Sequence, residues 1–363
     1  MDGGSIIGKG AYGCVFDPPL ACQTRQNKTM KKGHRVGKLS RMKDITNEIR
    51  TSNLLYDVPN AENMYVLVDK NSLCHPAPIE KQSKKDKKDI EECDAYKQWG
   101  MSDMYHYTMK FGGITIKKFE KRVLDKSPED FPIYTFAKCL LTACSHFLLK
   151  GIIHSDLHKG NILINPKTQM PMIIDFGLSF FKDDIQKPDF IDNMWTSYSP
   201  HLNQEPPEYS YMIGVHNKMK SNDIIIDIVE QKHSVASMAS VFRVMQANQM
   251  KQFVSFVNSS SIIKNRDWRK LMETYWPVSD SWAVGGVLIY FYKACMLFSK
   301  NTKSEFYKHK STLKSVIKAL LSINPDKRVD CLEALSMLDP NNSLVSSSES
   351  VEWLMTRAKR HLV

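Results

Sequence analysis

The strongest constraint on this chain is a pair of acid-bearing motifs. His154-Ser155-Asp156-Leu157-His158-Lys159-Gly160-Asn161 fits the pattern H-x-D-x-x-x-x-N, and Asp175-Phe176-Gly177 follows downstream. Between them lies a strand-like pair, Ile162 to Ile164 and Met172 to Ile174, split by the turn-forming Asn165-Pro166-Lys167-Thr168. A third motif precedes both: Ile6 to Phe16 reads IIGKGAYGCVF, so that Gly8, Gly10 and Gly13 form G-x-G-x-x-G ahead of Val15. Taken alone the glycine triplet is weak, because the same spacing marks dinucleotide-binding turns. Its flanks predict strand before and strand after. A hairpin with a Gly-rich tip can lay backbone N–H groups over phosphates where side chains would block the approach.

At 363 residues the chain has room for one large domain or two small ones. Its 42% hydrophobic and 25% charged content implies a real core and excludes collagen-like, wholly disordered and polytopic membrane classes. Fifty Lys and Arg against 39 Asp and Glu leave a formal charge of +11, which suits an anionic partner without naming it. The eight cysteines form no CxxC pair and no closely spaced Cys/His cluster of the kind zinc sites use, so reduced thiols in a cytosol-like compartment are expected. The opening Met-Asp-Gly-Gly-Ser leaves no room for a signal peptide before the Gly-rich segment, and secretion is not expected. Ser281 to Phe298 is apolar on all sides apart from Lys293 and reaches the minimum length for a bilayer helix. Gly285-Gly286 and Lys293 within it favour a buried core helix and no membrane span.

No internal repeat is visible. The first third is β-type and charged, with strands expected at Ser5 to Phe16, around His34 to Leu39, at Met64 to Asp69 and at Met104 to Phe111. Within Lys70 to Gly100, the KQSKKDKKD run from Lys81 to Asp89 reads as a solvated surface loop, and its lack of interleaved aromatic residues argues against specific nucleic-acid binding. From Ile133 the pattern turns helical: Ile133, Phe136, Ala137, Leu140, Leu141, Cys144, Phe147 and Leu148 share one face of a helix ending at Gly151. The remainder reads as mostly helical apart from polar stretches around Lys182 to Asn222. Asn341 to Glu349 reads as a mobile linker before a short basic helix, Val351 to Arg360.

In its three motifs the chain resembles the protein-kinase superfamily, over nearly its whole length from Gly8 to about Leu335. The resemblance implies an α+β, bilobal protein-kinase-like fold. A small antiparallel β-rich N-lobe (1–108) with one main helix is joined by a hinge (109–113) to a larger, mainly helical C-lobe (114–340), and a Ser-rich linker with a short helix (341–363) follows. ATP would bind between the lobes with Mg²⁺. Phosphoryl transfer requires neutralised charge, a hydroxyl held in line and oxygen ligands for magnesium. By similarity, Asp156 orients the acceptor hydroxyl and accepts its proton, Asn161 holds one magnesium, and Asp175 binds the metal that bridges the phosphates. Ile7, Gly8, Lys9, Gly10, Ala11, Tyr12, Gly13 and Val15 of the hairpin would contact the nucleotide, together with Met109 and Phe111 at the hinge.

Val36-Gly37-Lys38 resembles the end of the V-A-I-K strand, which makes Lys38 the candidate for the α/β-phosphates, with Lys31 and Lys32 as competitors and an insert needed at Asp17 to Lys32. Glu48, in an expected helix Asp44 to Leu55, would hold its ammonium. The spacing is short for the family, and Ser52 is polar where an apolar residue is expected. His158 stands where protein Ser/Thr kinases usually carry Lys. H-x-D-L-H-x-G-N is similar to the loop of aminoglycoside-type and other small-molecule kinases, though imidazole can still donate to phosphate.

The C-terminal half discriminates between these classes. Asp280-Ser281-Trp282-Ala283-Val284-Gly285 matches the D-x-W-x-x-G pattern that begins the central helix of eukaryotic-type kinases, where the Asp braces the catalytic-loop backbone. Asn324-Pro325-Asp326-Lys327-Arg328 matches N-P-x-x-R, whose arginine pairs with the Glu of A-P-E, here Glu208 of Pro206-Pro207-Glu208. The interval 280 − 208 = 72 residues requires an insertion, about 209–276, with structured segments at Ile224 to Val229 and Ala239 to Phe256. Otherwise Glu208 is a loop acid and Arg328 has another partner. Ser155 replaces the arginine of H-R-D, which implies activity independent of an activation-loop phosphate.

The compact start, the Cys14 to Cys22 segment and the Pro-Pro-Glu also resemble divergent kinases of large nucleocytoplasmic DNA viruses, which implies action in a host cytoplasm or a virion. The expected activity is ATP- and Mg²⁺-dependent transfer to protein Ser/Thr hydroxyls. An acidic protein substrate or anionic docking surface suits the charge better than nucleic acid. A small-molecule or lipid kinase and a pseudokinase scaffold remain the alternatives.

Overall fold

The computed structural model describes residues 5–10, 13–23, 34–121, 131–298 and 303–360. The chain forms two compact units, one from residues 1–113 with 172–179 and the other from 114–171 with 180–363.

In the first unit, strands β1 (Ser5–Gly10), β2 (Gly13–Asp17), β3 (Arg35–Arg41) and β4 (Met104–Lys110) form an antiparallel sheet in chain order. Val15 opposes Lys38, which opposes Tyr107; one residue along, Cys14 opposes Leu39, which opposes His106. Because side chains alternate along a strand, these two rows point to opposite faces. Helix α1 (Met42–Leu55) follows β3 directly and buries Ile45, Glu48, Ser52 and Leu55 at helical spacing. Arg41 Nε pairs with Asp44 Oδ2 at 2.8 Å in its first turn. Ser52 is tolerated inside because its hydroxyl accepts from Val68 N at 3.1 Å. The expected strand at Met64 to Asp69 is replaced by single bridges, Tyr65 to Ile173 and Val68 to Met109.

The other face of the sheet is covered by residues 70–100, which include α2 (Lys84–Glu91) and α3 (Asp94–Trp99). Cys14, Phe16, Leu39 and Met104 pack there against Ile90, Cys93 and Ala95. The lysine-rich run is therefore no solvated loop from Lys84 onward. Ser83 caps a helix by accepting from Asp86 N, Ile90 turns inward, and Lys84, Lys85 and Lys88 stay in solvent. Arg41 stacks over Trp99 at 3.7 Å, sealing the end of this layer. The expectation of reduced thiols also fails at four positions: Cys14–Cys93 and Cys22–Cys74 are disulfides, while Cys139, Cys144, Cys295 and Cys331 are free. The sequence hid both bridges because their partners lie 79 and 52 residues apart.

In the second unit, β5 (Ile114–Thr115) leads into the short α4 (Ile116–Phe119), and α5 (Ile133–Leu149) buries the predicted apolar face. Strand β6 (Ile152–Ile153) pairs with β9 (Phe180–Phe181), and β7 (Ile162–Ile164) pairs with β5. Strand β8 (Pro171–Ile173) leaves this unit after Pro171 and continues into the 172–179 segment of the first, toward Asp175. After the short α6 (Phe190–Asn193) come α7 (Pro207–His216), α8 (Ser221–Gln231), α9 (His233–Phe242), α10 (Gln246–Ser259) and α11 (Ser261–Lys264). The expected insertion is thus helical, with α8 packed on α7 and α10, and α9 packed on α12 (Trp268–Phe298). Helix α12 begins well before Asp280 and carries Pro277 inside it. Its apolar stretch buries Trp282, Val284, Leu288, Phe291 and Cys295, the core-helix reading of that run. Among the described residues no helix is long and apolar enough to cross a membrane.

Helices α13 (Glu305–Leu320) and α14 (Cys331–Leu338) pack with α5, and the last described element is α15 (Ser348–Arg360). In the stretch before α15, Asn342 N donates to Asp339 O at 3.0 Å, Ser346 N donates to Asn342 O at 3.2 Å, and Val345 is buried. Trp353 Nε1 donates to Asp330 Oδ2 at 2.9 Å, and Arg357 reaches Asp330 at 3.1 Å and Glu333 at 3.3 Å, which holds α15 on the start of α14.

Candidate active site

In the first unit, Lys38 leaves β3 toward α1 and its Nζ donates to Glu48; it also donates to Asp175 Oδ1 at 2.9 Å. Tyr107, beside Lys38 in the ladder, donates its hydroxyl to the other oxygen of Glu48. Burial acts against a charge on Lys38, but the carboxylates of Glu48 and Asp175 outweigh it and hold the ammonium above its ordinary range. Asp175 sits at φ 65°, a left-handed conformation that Asp tolerates better than most residues. The following residues are tied to the same unit: Phe176 is buried edge-on against Tyr65, and Asn47 of α1 donates to Gly177 O at 3.2 Å.

The Gly-rich hairpin closes with Gly10 opposite Gly13. A Cβ at Gly13 would lie 2.2 Å from Leu39 O, so only glycine fits there. Ala11 and Tyr12, and the competitor lysines Lys31 and Lys32, lie outside the described residues. Val15 shares the face of Lys38, and Gly8 lies opposite Val15 in the hairpin. Lys9 does not join them: paired with Cys14, it turns to the other face, where its Nζ meets Glu92 at 3.0 Å. Ile7 is largely exposed, Met109 is buried opposite Val36, and Phe111 N donates to His34 O at 3.2 Å.

In the second unit, Asp280 accepts from His154 N at 2.7 Å and Ser155 N at 3.0 Å. Burial pushes the Asp280 carboxyl up, against the pull of His154 and these two N–H groups. Ser155 is held at φ 66°, a strained conformation for a non-glycine residue. Asn161 Nδ2 donates to both Asp156 O (2.9 Å) and Asp156 Oδ2 (3.0 Å). With its amide nitrogen so committed, its oxygen is left as a hard ligand donor. Asp156 Oδ1 accepts from Gln204 Nε2 at 3.0 Å and faces His158 Nε2 at 3.7 Å. His158 Nδ1 accepts from Gly160 N at 2.8 Å, which puts the ring proton on Nε2, toward Asp156.

Arg328 and Glu208 form a two-pronged pair at 2.8 and 2.9 Å, both with fully buried side chains, and Arg328 Nε donates to Ser322 O. Similarity to a known family runs through the stretch that holds Asp156, Asn161 and Asp175, short of Glu208 and Arg328. The family model of the ABC1 atypical kinase-like domain matches residues 111–202. A cell cycle protein kinase, spo4 of Schizosaccharomyces pombe, is 41% identical over 51 residues, which is 14% of this chain and 12% of that protein. Over these stretches the chain is similar to kinase-like domains. Its mixed fold, with an antiparallel sheet near the N-terminus and a larger helical region, is the fold class expected from the motifs.

Gln204 and the residues that hold its segment had no motif to announce them. Gln204 touches the carboxylate directly. The segment that carries it is gripped by the insertion: Lys232, buried between α8 and α9, donates to Leu202 O (2.9 Å) and Glu205 O (2.8 Å), and Ser234 donates to Asn203 Oδ1 from both N (2.8 Å) and Oγ (2.7 Å). Trp282 Nε1 adds a bond to Asn203 O at 3.0 Å. Burial lowers the Lys232 pKa to about 8, opposed by the charges of Glu205 and Glu208. The only hint in the sequence was proximity to Pro206-Pro207-Glu208.

Proposed function

We propose that the protein is an ATP- and Mg²⁺-dependent protein kinase that phosphorylates Ser/Thr hydroxyls. The observation that carries this reading is the buried Arg328–Glu208 pair, with Asp280 under the His154-Ser155 backbone. Together they brace the loop and segment against which a polypeptide acceptor would lie. Magnesium, when bound, supplies charge neutralisation for the phosphates, and the oxygen donors of Asn161 and Asp175 suit it. Lys38, fixed by Glu48 and kept charged, would hold the α/β-phosphates, with the backbone of Gly8, Gly10 and Gly13 above them. Asp156 would accept the hydroxyl proton on Oδ1, whose second lone pair can serve the acceptor while Gln204 keeps the carboxylate aimed. Ser155 and the grip of Lys232 on residues 202 and 205 support activity that needs no activation-segment phosphate.

A small-molecule or lipid kinase is the second reading, favoured by His158 in the loop and by the match to an atypical kinase-like domain. Labelled γ-phosphate transfer decides between them: wild type, Asp156→Asn and Asp175→Ala are offered basic and acidic proteins and small-molecule acceptors with Mg²⁺ and ATP. Label in protein Ser/Thr, lost in both variants, is expected. Label only in small molecules overturns the protein-kinase reading, and no transfer above the variants leaves a scaffold.

A further inference from the structure

Cys22, Cys74 and His106 converge on the face of the sheet opposite Lys38. His106 Nδ1 lies 3.9 Å from Cys22 Sγ and 3.8 Å from Cys74 Sγ. The convergence does not depend on the disulfide. Cys74 and His106 exchange both backbone bonds at 2.8 Å, Gln23 N donates to His75 O at 3.0 Å, and Ala77 N donates to Ala21 O at 2.7 Å. The buried Gln82 then ties the two segments together, accepting from Ala21 N and donating to Ala21 O and Ala77 O. None of these bonds passes through the sulfurs.

We propose that, with Cys22–Cys74 reduced, Cys22, Cys74 and His106 bind a thiophilic d¹⁰ cation, Zn²⁺, whose fourth ligand comes from solvent. In a tetrahedral site with Zn–S near 2.3 Å and Zn–N near 2.0–2.1 Å, sulfur and nitrogen lie about 3.5 Å apart and the two sulfurs about 3.8 Å apart. Both nitrogen-to-sulfur distances are already within a few tenths of an ångström of that value. Only the sulfurs need to separate. Cys22 and Cys74 are partly exposed, which leaves a solvent side for entry and the fourth ligand, whereas His106 is fully buried and its Nε2 has no hydrogen-bond partner. That nitrogen presses on Gly37, where a Cβ would come within 2.0 Å of it, so the glycine before Lys38 makes room for the ring. The other bridge is of a different kind: Cys14 and Cys93 lie at 0% exposure inside the apolar cluster, with no histidine in that cluster.

Reduction by an external dithiol balances the step. Its two S–H bonds break and its own disulfide forms, while two electrons and two protons pass to Cys22 and Cys74; zinc binding then expels the two thiol protons. The full-length protein is tested after anaerobic dithiol reduction and removal of the reductant, and in parallel in its oxidised form. The probe is Co²⁺, read by its thiolate charge-transfer band and displaced by Zn²⁺. Reduced wild type is expected to bind one equivalent and the oxidised protein none. Cys22→Ser with Cys74→Ser should lose the band, Cys14→Ser with Cys93→Ser should keep it, and His106→Gln, which removes a direct ligand, should weaken binding by more than the roughly 10–100-fold that loss of an outer-shell partner costs. Circular dichroism checks folding, and Cys22→Ser alone serves if the histidine variant does not fold. No uptake by reduced wild type, or equal uptake by the Cys22/Cys74 double variant, overturns the site. Neither outcome depends on kinase activity.

Discussion

At Asp156 each carboxylate oxygen has its own partner, Asn161 on Oδ2 and Gln204 on Oδ1. Asp156→Asn removes the proton acceptor while keeping the shape, and turnover is expected to fall about 10²–10⁴-fold with nucleotide binding retained, measured by steady-state transfer beside a nucleotide titration. Gln204→Ala should lower kcat about tenfold, the effect of one hydrogen bond to a charged group, and leave the KM for ATP unchanged; a rise in KM alone would place Gln204 in nucleotide binding. At Lys38 the outcome is set by burial. Lys38→Met strands Glu48 in the interior and should cost about 3–5 kcal/mol in denaturant unfolding. Adding Glu48→Leu should restore much of that stability but none of the activity, separating the structural from the chemical share of the pair.

At the level of elements, the junction of α8 and α9 titrates. Lys232 has a folded pKa of about 8 against an ordinary 10.5. Between those values the unfolded chain holds a proton that the folded chain releases, so this residue makes stability rise with pH across about 8 to 10.5, by up to about 3 kcal/mol. Lys232→Met should flatten that slope in urea melts at pH 8 and 10; an unchanged slope would mean that the ammonium is not buried as described. The elements most legible in the sequence were those with one strong local period or motif: β3, the apolar face of α5, and the strand pair around Asn165. Lys38, Glu48, Asp156, Asn161 and Asp175 could be named because motif spacing is local. The rest depends on partners distant in sequence. Residues 70–100 cover the sheet through Ile90 and Cys93, which look unremarkable just after a lysine-rich run, and Lys9 turns away from the Lys38 face because of a strand register no motif encodes.

For the molecule as a whole, α15 is part of the fold. Burial and the charge of Glu333 raise Asp330 to about 6, and Arg357 opposes the rise. Asp330 therefore contributes stability that is complete below about 4 and is lost as pH climbs through 6. Arg357→Leu should raise that carboxyl further, so the variant's loss in Tm should be largest near pH 7.5 and shrink toward pH 5; a constant deficit would show that Arg357 acts by packing alone. The two disulfides carry a different whole-chain consequence. The bridge from Cys14 to Cys93 encloses the one from Cys22 to Cys74. Any single peptide bond cut between Cys22 and Cys93 thus leaves the fragments covalently joined. A protease-nicked molecule would migrate as one intact chain on a non-reducing gel and separate only when thiol is added.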